Sequence, residues 1–109
     1  TPRFTGGEVV RTIDHGAYRT VIHRPVFDGL VGERREGFIQ VEWEPVSGLP
    51  PLIEEGIAFT AGGKEDLRFR LDTVAGKGDV QGLNPMVTGV SLIARVGGGW
   101  LVRFQLKKT

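Results

Sequence analysis

The clearest structural signal in the sequence is the stretch Trp100-Leu101-Val102-Arg103-Phe104-Gln105-Leu106-Lys107, in which large apolar residues occupy every second position. Successive side chains of a β-strand point to opposite faces, so an alternation of period two is typical of a strand with one buried face. The inward face predicted from this alternation consists of Trp100, Val102, Phe104 and Leu106. The outward face consists of Leu101, Arg103, Gln105 and Lys107.

Two further stretches, 38–44 and 67–73, show the same alternation. Their predicted inward residues are Ile39, Val41, Trp43, Leu67, Phe69 and Leu71. The chain also holds 17 glycines in 109 residues, and glycine suits tight turns because it adopts positive φ without strain. Short strands separated by many turns predict a single all-β domain over residues 1–109, with roughly six to eight antiparallel strands.

The first third of the chain is predicted to form hairpins. Residues 8–13 and 17–24 are predicted strands, and the connection 14–16 between them contains a glycine that suits a tight turn. The dipeptide Asp28-Gly29 lies between apolar pairs, which predicts a second hairpin at that point. The polar stretch 32–37 is predicted to be a solvent-exposed loop.

The rest of the chain offers one candidate helical turn, over residues 51–55, because proline suits a first helical turn and a glycine follows. Residues 57–60 are predicted to be a short strand, whereas 76–85 lack periodicity and are predicted to be an irregular loop. Residues 88–96 predict an apolar strand that ends in the tight turn 97–99. Alternating strands fit both a small antiparallel barrel and a two-sheet sandwich, so both architectures stay open.

Composition limits the class of protein. The chain has no cysteine, which excludes disulfides and thiolate metal sites and favours a reducing compartment. No apolar run approaches the roughly 20 residues needed to cross a bilayer, and no signal-peptide pattern opens the chain. We therefore expect a soluble, cytoplasmic protein, although the chain begins with Thr1 rather than Met and secretion of a longer precursor stays open.

Candidate catalytic and phosphate-binding groups lack the necessary patterns. The lysine-bearing glycine loops at 61–64 and 75–78 have neither the spacing nor the hydroxyl of a phosphate-binding loop. His15 and His23 could act with Asp14 as metal ligands or as acid–base groups, but nothing in the sequence fixes their separation. We therefore expect no catalytic residue, no metal site and no cofactor, and an enzyme is less expected than a binding protein.

Charge is distributed unevenly along the chain. Residues 36–66 hold seven acids and one base, and residues 67–109 hold seven bases and two acids. The bases of the C-terminal part could form a stripe that binds nucleic acid or another polyanion: Arg68, Arg70, Arg95, Arg103 and Lys107. Cross-strand pairing of these bases with Glu42, Glu44 and Asp72 is the simpler expectation.

The expected function is recognition without catalysis. A β-scaffold would present loops or a sheet edge to a protein partner or to a second copy, and the loops favoured for this role are 32–37, 45–56 and 75–87. Nucleic-acid or polyanion binding through the basic stripe is one alternative. The other is binding of a small apolar ligand inside a barrel lined by Trp43, Phe69, Trp100 and Phe104.

Overall fold

The computed structural model describes residues 7–58, 65–81 and 85–108, and these residues form nine β-strands. The strands are β1 Val9–Asp14, β2 Tyr18–His23, β3 Val26–Val31, β4 Arg34–Pro45, β5 Leu52–Ile57, β6 Leu67–Asp72, β7 Lys77–Gln81, β8 Val87–Ala94 and β9 Trp100–Lys108. In this part of the chain no helix is long and apolar enough to cross a membrane.

The strands form two antiparallel sheets. The large sheet has six strands in the order β1-β2-β4-β9-β8, with β3 also paired to β4, and the small sheet has the order β5-β6-β7. All seven strand pairs of the described residues are antiparallel. The all-β prediction is therefore confirmed. Since neither sheet closes on itself within those residues, the architecture is a two-sheet sandwich.

The core lies between the two sheets. The ring of Trp43 on β4 stacks on Phe69 of β6 with centroids 5.5 Å apart, and Phe69 meets Phe104 of β9 edge-on at 5.2 Å. Burying side chains of this size stabilises the fold by about 1.5–3 kcal/mol each. The inward residues predicted for β4, β6 and β9 are buried, except that Trp100 is half-buried. The alternation in the sequence thus identified the core of both sheets.

The N-terminal hairpin is as predicted, but the second one is not. Strands β1 and β2 pair around Gly16, whose φ is 88°. The hairpin predicted at Asp28-Gly29 is wrong because β3 continues through these residues and turns only at Gly32, with φ 63°. The loop predicted at 32–37 is also wrong, since β4 begins at Arg34. The residues of this stretch are polar, but their backbone groups pair with both β3 and β9, and this pairing holds them in the sheet.

The helical turn considered for 51–55 is also wrong, because Leu52–Ile57 form β5. Its inward positions alternate along the strand, and pairing with β6 satisfies backbone groups that one isolated helical turn would leave unpaired. Strand β7 lies within the predicted irregular loop 76–85. Of the short strand predicted at 57–60, residues 59 and 60 lie outside the described residues. The apolar strand before the 97–99 turn is confirmed as β8.

Candidate functional site

Four connections meet at one end of the sandwich, and we call them together the loop end. They are the β1–β2 connection 15–17, the β4–β5 connection 46–51, the β6–β7 turn 73–76 and the β8–β9 turn 95–99. The register explains the meeting, because the start of β2 and the start of β9 both lie beside the end of β4. The connection 46–51 then leads directly into the small sheet.

A single carbonyl joins the first two connections. The carbonyl oxygen of Ala17 accepts hydrogen bonds from the amides of Val46 at 2.7 Å and Ser47 at 2.9 Å, and the amide of Gly48 lies 3.3 Å away. These bonds satisfy backbone donors that would otherwise need water. The β4–β5 connection is thereby held against the tip of the β1–β2 hairpin.

The other two connections are fixed in a similar way. Thr73 donates its amide to the carbonyl of Pro51 at 3.0 Å and its hydroxyl to the carbonyl of Pro50 at 2.7 Å. The guanidinium of Arg95 lies 3.4 Å from the carboxylate of Glu44 at the end of β4. All four connections are therefore bound to one another or to the end of β4.

The tips of three of these connections carry valines that point into solvent. Val46 is 58%, Val74 83% and Val96 92% exposed. Beside Val74, the carboxylate of Asp72 accepts the amides of residues 74 and 75 at 3.0 and 2.9 Å, which fixes the turn that carries this valine. Leu30, Val9 and Val10 on the strands β3 and β1 are also exposed, at 71%, 51% and 49%. The three valines differ from them because they lie on connections at one end of the sandwich.

A buried polar network lies directly beneath the loop end. Glu55 of β5 is only 8% exposed. One of its carboxylate oxygens accepts the hydroxyl of Thr20 at 2.6 Å and the indole N–H of Trp43 at 2.9 Å. The other lies 3.1 Å from Nε2 of His15. Because a carboxylate only accepts, this Nε2 carries a proton, and the three donors together make burial of the charge tolerable.

The centre of this network is closed to a substrate. The hydroxyl of Thr20 bonds to both Glu55 and His15, but Thr20 is fully buried and no substrate can reach it. The ring of His15 stacks on Tyr18 with centroids 4.5 Å apart. Burial raises the pKa of Tyr18, and the nearby charge of Glu55 raises it further. The network therefore positions an aromatic pair at the loop end, and its carboxylate disfavours ionisation of the tyrosine.

The second histidine belongs to a separate cluster on the outer face of the large sheet. Nδ1 of His23 lies 2.8 Å from the carbonyl oxygen of Gly7, and Nε2 lies 2.8 Å from the carboxylate of Glu42. Glu42 also accepts from Arg95 at 3.3 Å. The structure thus places His15 and His23 with different carboxylates, and Asp14 instead accepts the amide of Gly16. Within the described residues no cluster of three potential ligands could hold a metal ion.

The predicted basic residues lie in two groups. Arg68 and Arg70 lie on β6 in the small sheet, whereas Arg103 and Lys107 lie on β9 in the large sheet, with Arg95 just after β8. Strand β6 is flanked by β5 and β7, so the two groups do not join across neighbouring strands. The predicted cross-strand pairing is present at Arg95.

The other bases also have acidic or aromatic neighbours. Arg68 pairs with Glu65 at 3.0 Å, and Lys107 lies 3.8 Å from Glu36. The guanidinium of Arg103 lies 3.8 Å above the ring of Phe38. In β6, Arg70 is opposite Glu54 on one side and Asp79 on the other. The positive charge of these residues is therefore largely compensated by near neighbours.

Of the four aromatic residues predicted to line a ligand pocket, three contact one another. Trp43, Phe69 and Phe104 are fully buried and pack ring against ring. Trp100 is half-buried, beside Gly76 of the loop end. An open depression of about 240 Å³ lies elsewhere and has a mostly charged lining: Glu65, Asp66, Leu67, Arg68 and Gln81.

Sequence reasoning missed the network around Glu55 and the exposed valines. His15 and Glu55 are 40 residues apart in sequence, so no local pattern joins them. A usable signal was that Glu55 has the same inward parity as Ile53 and Ile57. The predicted loop 45–56 does contain one part of the loop end, and 75–87 overlaps another by two residues. Loop 32–37 contains the β3–β4 turn and the start of β4.

No family model matches this chain, and no curated protein and no solved structure is significantly similar to it.

Proposed function

We propose that this domain is a non-enzymatic recognition module that binds a protein partner through the loop end. The observation that carries the proposal is the exposure of three valines on three connections that hydrogen bonds and an ion pair hold together. Val46, Val74 and Val96 are each more than half exposed. Exposed apolar residues that the topology gathers at one end of a domain favour an interaction site there.

The loop end is suited to binding because it is ordered before a partner arrives. The bonds to Ala17 and from Thr73 fix the backbone of two connections, and Asp72 fixes the turn that carries Val74. A surface that is already ordered loses less conformational entropy on association, so more of the apolar contact contributes to affinity. The stacked pair of His15 and Tyr18 adds aromatic area at the same loop end.

The chemistry of the titratable groups supports recognition over catalysis. Glu55 and Thr20 are buried, and their polar atoms bond to one another and to neighbours of the same network. His23 uses both ring nitrogens in bonds to Gly7 and Glu42. Groups engaged in this way fix the structure and offer few free proton donors or acceptors to a substrate.

The two alternative functions have weaker support. Polyanion binding needs uncompensated positive charge in one place, and Arg68, Arg95 and Lys107 each have an acidic partner. An internal apolar ligand needs space that the contact of Phe69 with Trp43 and Phe104 occupies. Binding of a protein partner through the loop end needs neither uncompensated positive charge nor an internal cavity.

The proposal is tested by a comparison of three forms of the purified protein as baits in a cell extract. These are the wild type, the double variant Val74→Asp/Val96→Asp and the control Val10→Asp. Val10 is 49% exposed on β1 and lies outside the loop end. A partner should be captured by wild type and control but reduced at least about tenfold with the double variant. Identical capture by all three folded baits would overturn the proposal.

A further inference from the structure

Strand β8 is the terminal strand of the large sheet, and among the described strands it pairs only with β9. Strand β7 of the small sheet approaches β8 but does not pair with it among the described residues. The second edge of β8 therefore has no strand partner within the described part of the chain. Such an edge is a template for another strand, and natural proteins usually protect it with charges, prolines, bulges or covering segments.

Strand β8 lacks the charges that protect the other one-sided strands. Its sequence, Val87-Thr88-Gly89-Val90-Ser91-Leu92-Ile93-Ala94, contains no charged residue and no proline. The other strands with a single partner all carry charge: Arg11 and Asp14 in β1, Asp28 in β3, Glu54 in β5, and Lys77 and Asp79 in β7. The register shift of β8 lies at its start, between residues 87 and 89, so residues 90–94 form a regular edge.

We infer that β8 pairs antiparallel with β8 of a second copy of this chain, which joins two large sheets into one. The uncharged sequence of β8 suits pairing with the same strand of a second copy. A two-fold axis at Ser91 places Val90 opposite Leu92 and Gly89 opposite Ile93, and no register brings like charges together. Self-pairing of β5, by contrast, would oppose carboxylates. Two-fold pairing through one repeated surface is the commonest form of self-association.

The pairing also buries side chains that the monomer covers incompletely. Val90, Leu92 and Ile93 are each half-buried in the single chain. Because β8 ends at the loop end and the paired strands run in opposite directions, the two loop ends of the dimer lie at opposite ends of the joined sheet. The dimer thus leaves both loop ends free and offers them as a bivalent surface.

The test is the mass of the protein in solution, measured by sedimentation over about a hundredfold range of concentration. The variant Ser91→Glu is informative because Ser91 is exposed and lies opposite Arg103 in the monomer. A glutamate there has a basic neighbour within one chain but meets a second glutamate at the two-fold axis. The control is Thr12→Glu, an exposed position on the charged edge strand β1.

The wild type and Thr12→Glu should approach twice the mass of one chain as concentration rises, and Ser91→Glu should require at least about tenfold more protein. A wild type that stays monomeric throughout, or an unchanged mass for folded Ser91→Glu, would overturn the inference. If Ser91→Glu fails to fold, Ser91→Asp serves instead, because two aspartates would meet at the same axis, and it should weaken the dimer likewise. The Val74→Asp/Val96→Asp variant should still form dimers, which separates this interface from the loop end.

Discussion

The indole nitrogen of Trp43 donates a 2.9 Å hydrogen bond to the carboxylate of Glu55, and this bond joins the large sheet to the small one. Thr20 of β2 donates to the same carboxylate oxygen at 2.6 Å. A charge buried in this way destabilises a protein unless its hydrogen bonds are complete. Glu55 therefore connects the two sheets directly beneath the loop end, and its removal should affect the whole fold.

The variant Glu55→Ala should lower the free energy of unfolding by about 3 kcal/mol, because it leaves the buried donors of Trp43 and Thr20 without an acceptor. Glu55→Gln keeps one acceptor oxygen and the same size, so its loss should be smaller. Urea unfolding of both variants measures the difference. A loss below about 1 kcal/mol for Glu55→Ala would contradict this role.

Tyr18 gives a prediction at alkaline pH. Burial, and then the charge of Glu55, raise its pKa in the folded chain above the 10.0 expected of an unfolded tyrosine. The neutral phenol is therefore favoured by folding. Its contribution to stability is fully present below pH 10 and is lost as pH rises through the folded pKa.

The free energy of unfolding should accordingly decline above pH 10, and less steeply in Tyr18→Phe. Tyr18 is the only tyrosine of the chain, so its ultraviolet absorbance reports its ionisation directly. Spectrophotometric titration of the native protein should place the midpoint above 10.0. A midpoint at or below that value would show that the phenol is not shielded.

Gly78 of β7 should tolerate no side chain. A Cβ at this position would overlap the ring of Phe69, which is fully buried and held between Trp43 and Phe104. Gly78→Ala should therefore destabilise the fold by about 2–3 kcal/mol. The matched control is Gly89→Ala in β8, where the nearest atom would be 3.6 Å away, and its effect should stay within about 0.5 kcal/mol. Equal thermal stability of the two variants would contradict this packing.

The order of the loop end can be measured by amide hydrogen exchange in the free protein. The amides of Val46 and Ser47 bond to the carbonyl of Ala17, although the side chain of Val46 is exposed. They should exchange at least about tenfold more slowly than in an unstructured peptide. The amide of Val96 makes no hydrogen bond within the described part of the chain and should exchange faster. Equal exchange at these positions would indicate a loop end that is not ordered in advance.

The sequence predicted those parts of the fold in which alternation and burial coincide. Strands β4, β6 and β9 carry their apolar residues at every second position, and these residues form the core. Strand β7 was missed because its only large apolar residue is Val80 and because Gly78, which leaves room for Phe69, looks like a turn residue. The polar start of β4 was missed because strand pairing, and not burial, holds it in the sheet.

The candidate site was harder to predict because its contacts are distant in sequence. A glutamate is normally expected to face solvent. A helical turn was also considered for residues 51–55, so the inward position of Glu55 was not predicted. The carbonyl of Ala17 bonds to amides about thirty residues later through backbone geometry that no residue type signals. The exposed valines become a surface only once the topology brings their connections to one end.

The most direct test of the loop end as a binding surface is the affinity of the captured partner for wild type, Val96→Asp and Val10→Asp. Val96 is 92% exposed, so the substitution leaves the core intact and changes only the surface offered to the partner. We predict that Val96→Asp weakens binding at least about tenfold, because an aspartate must lose its water on contact, while Val10→Asp changes affinity less than about twofold. Equal affinity for wild type and folded Val96→Asp would contradict binding of the partner through the loop end.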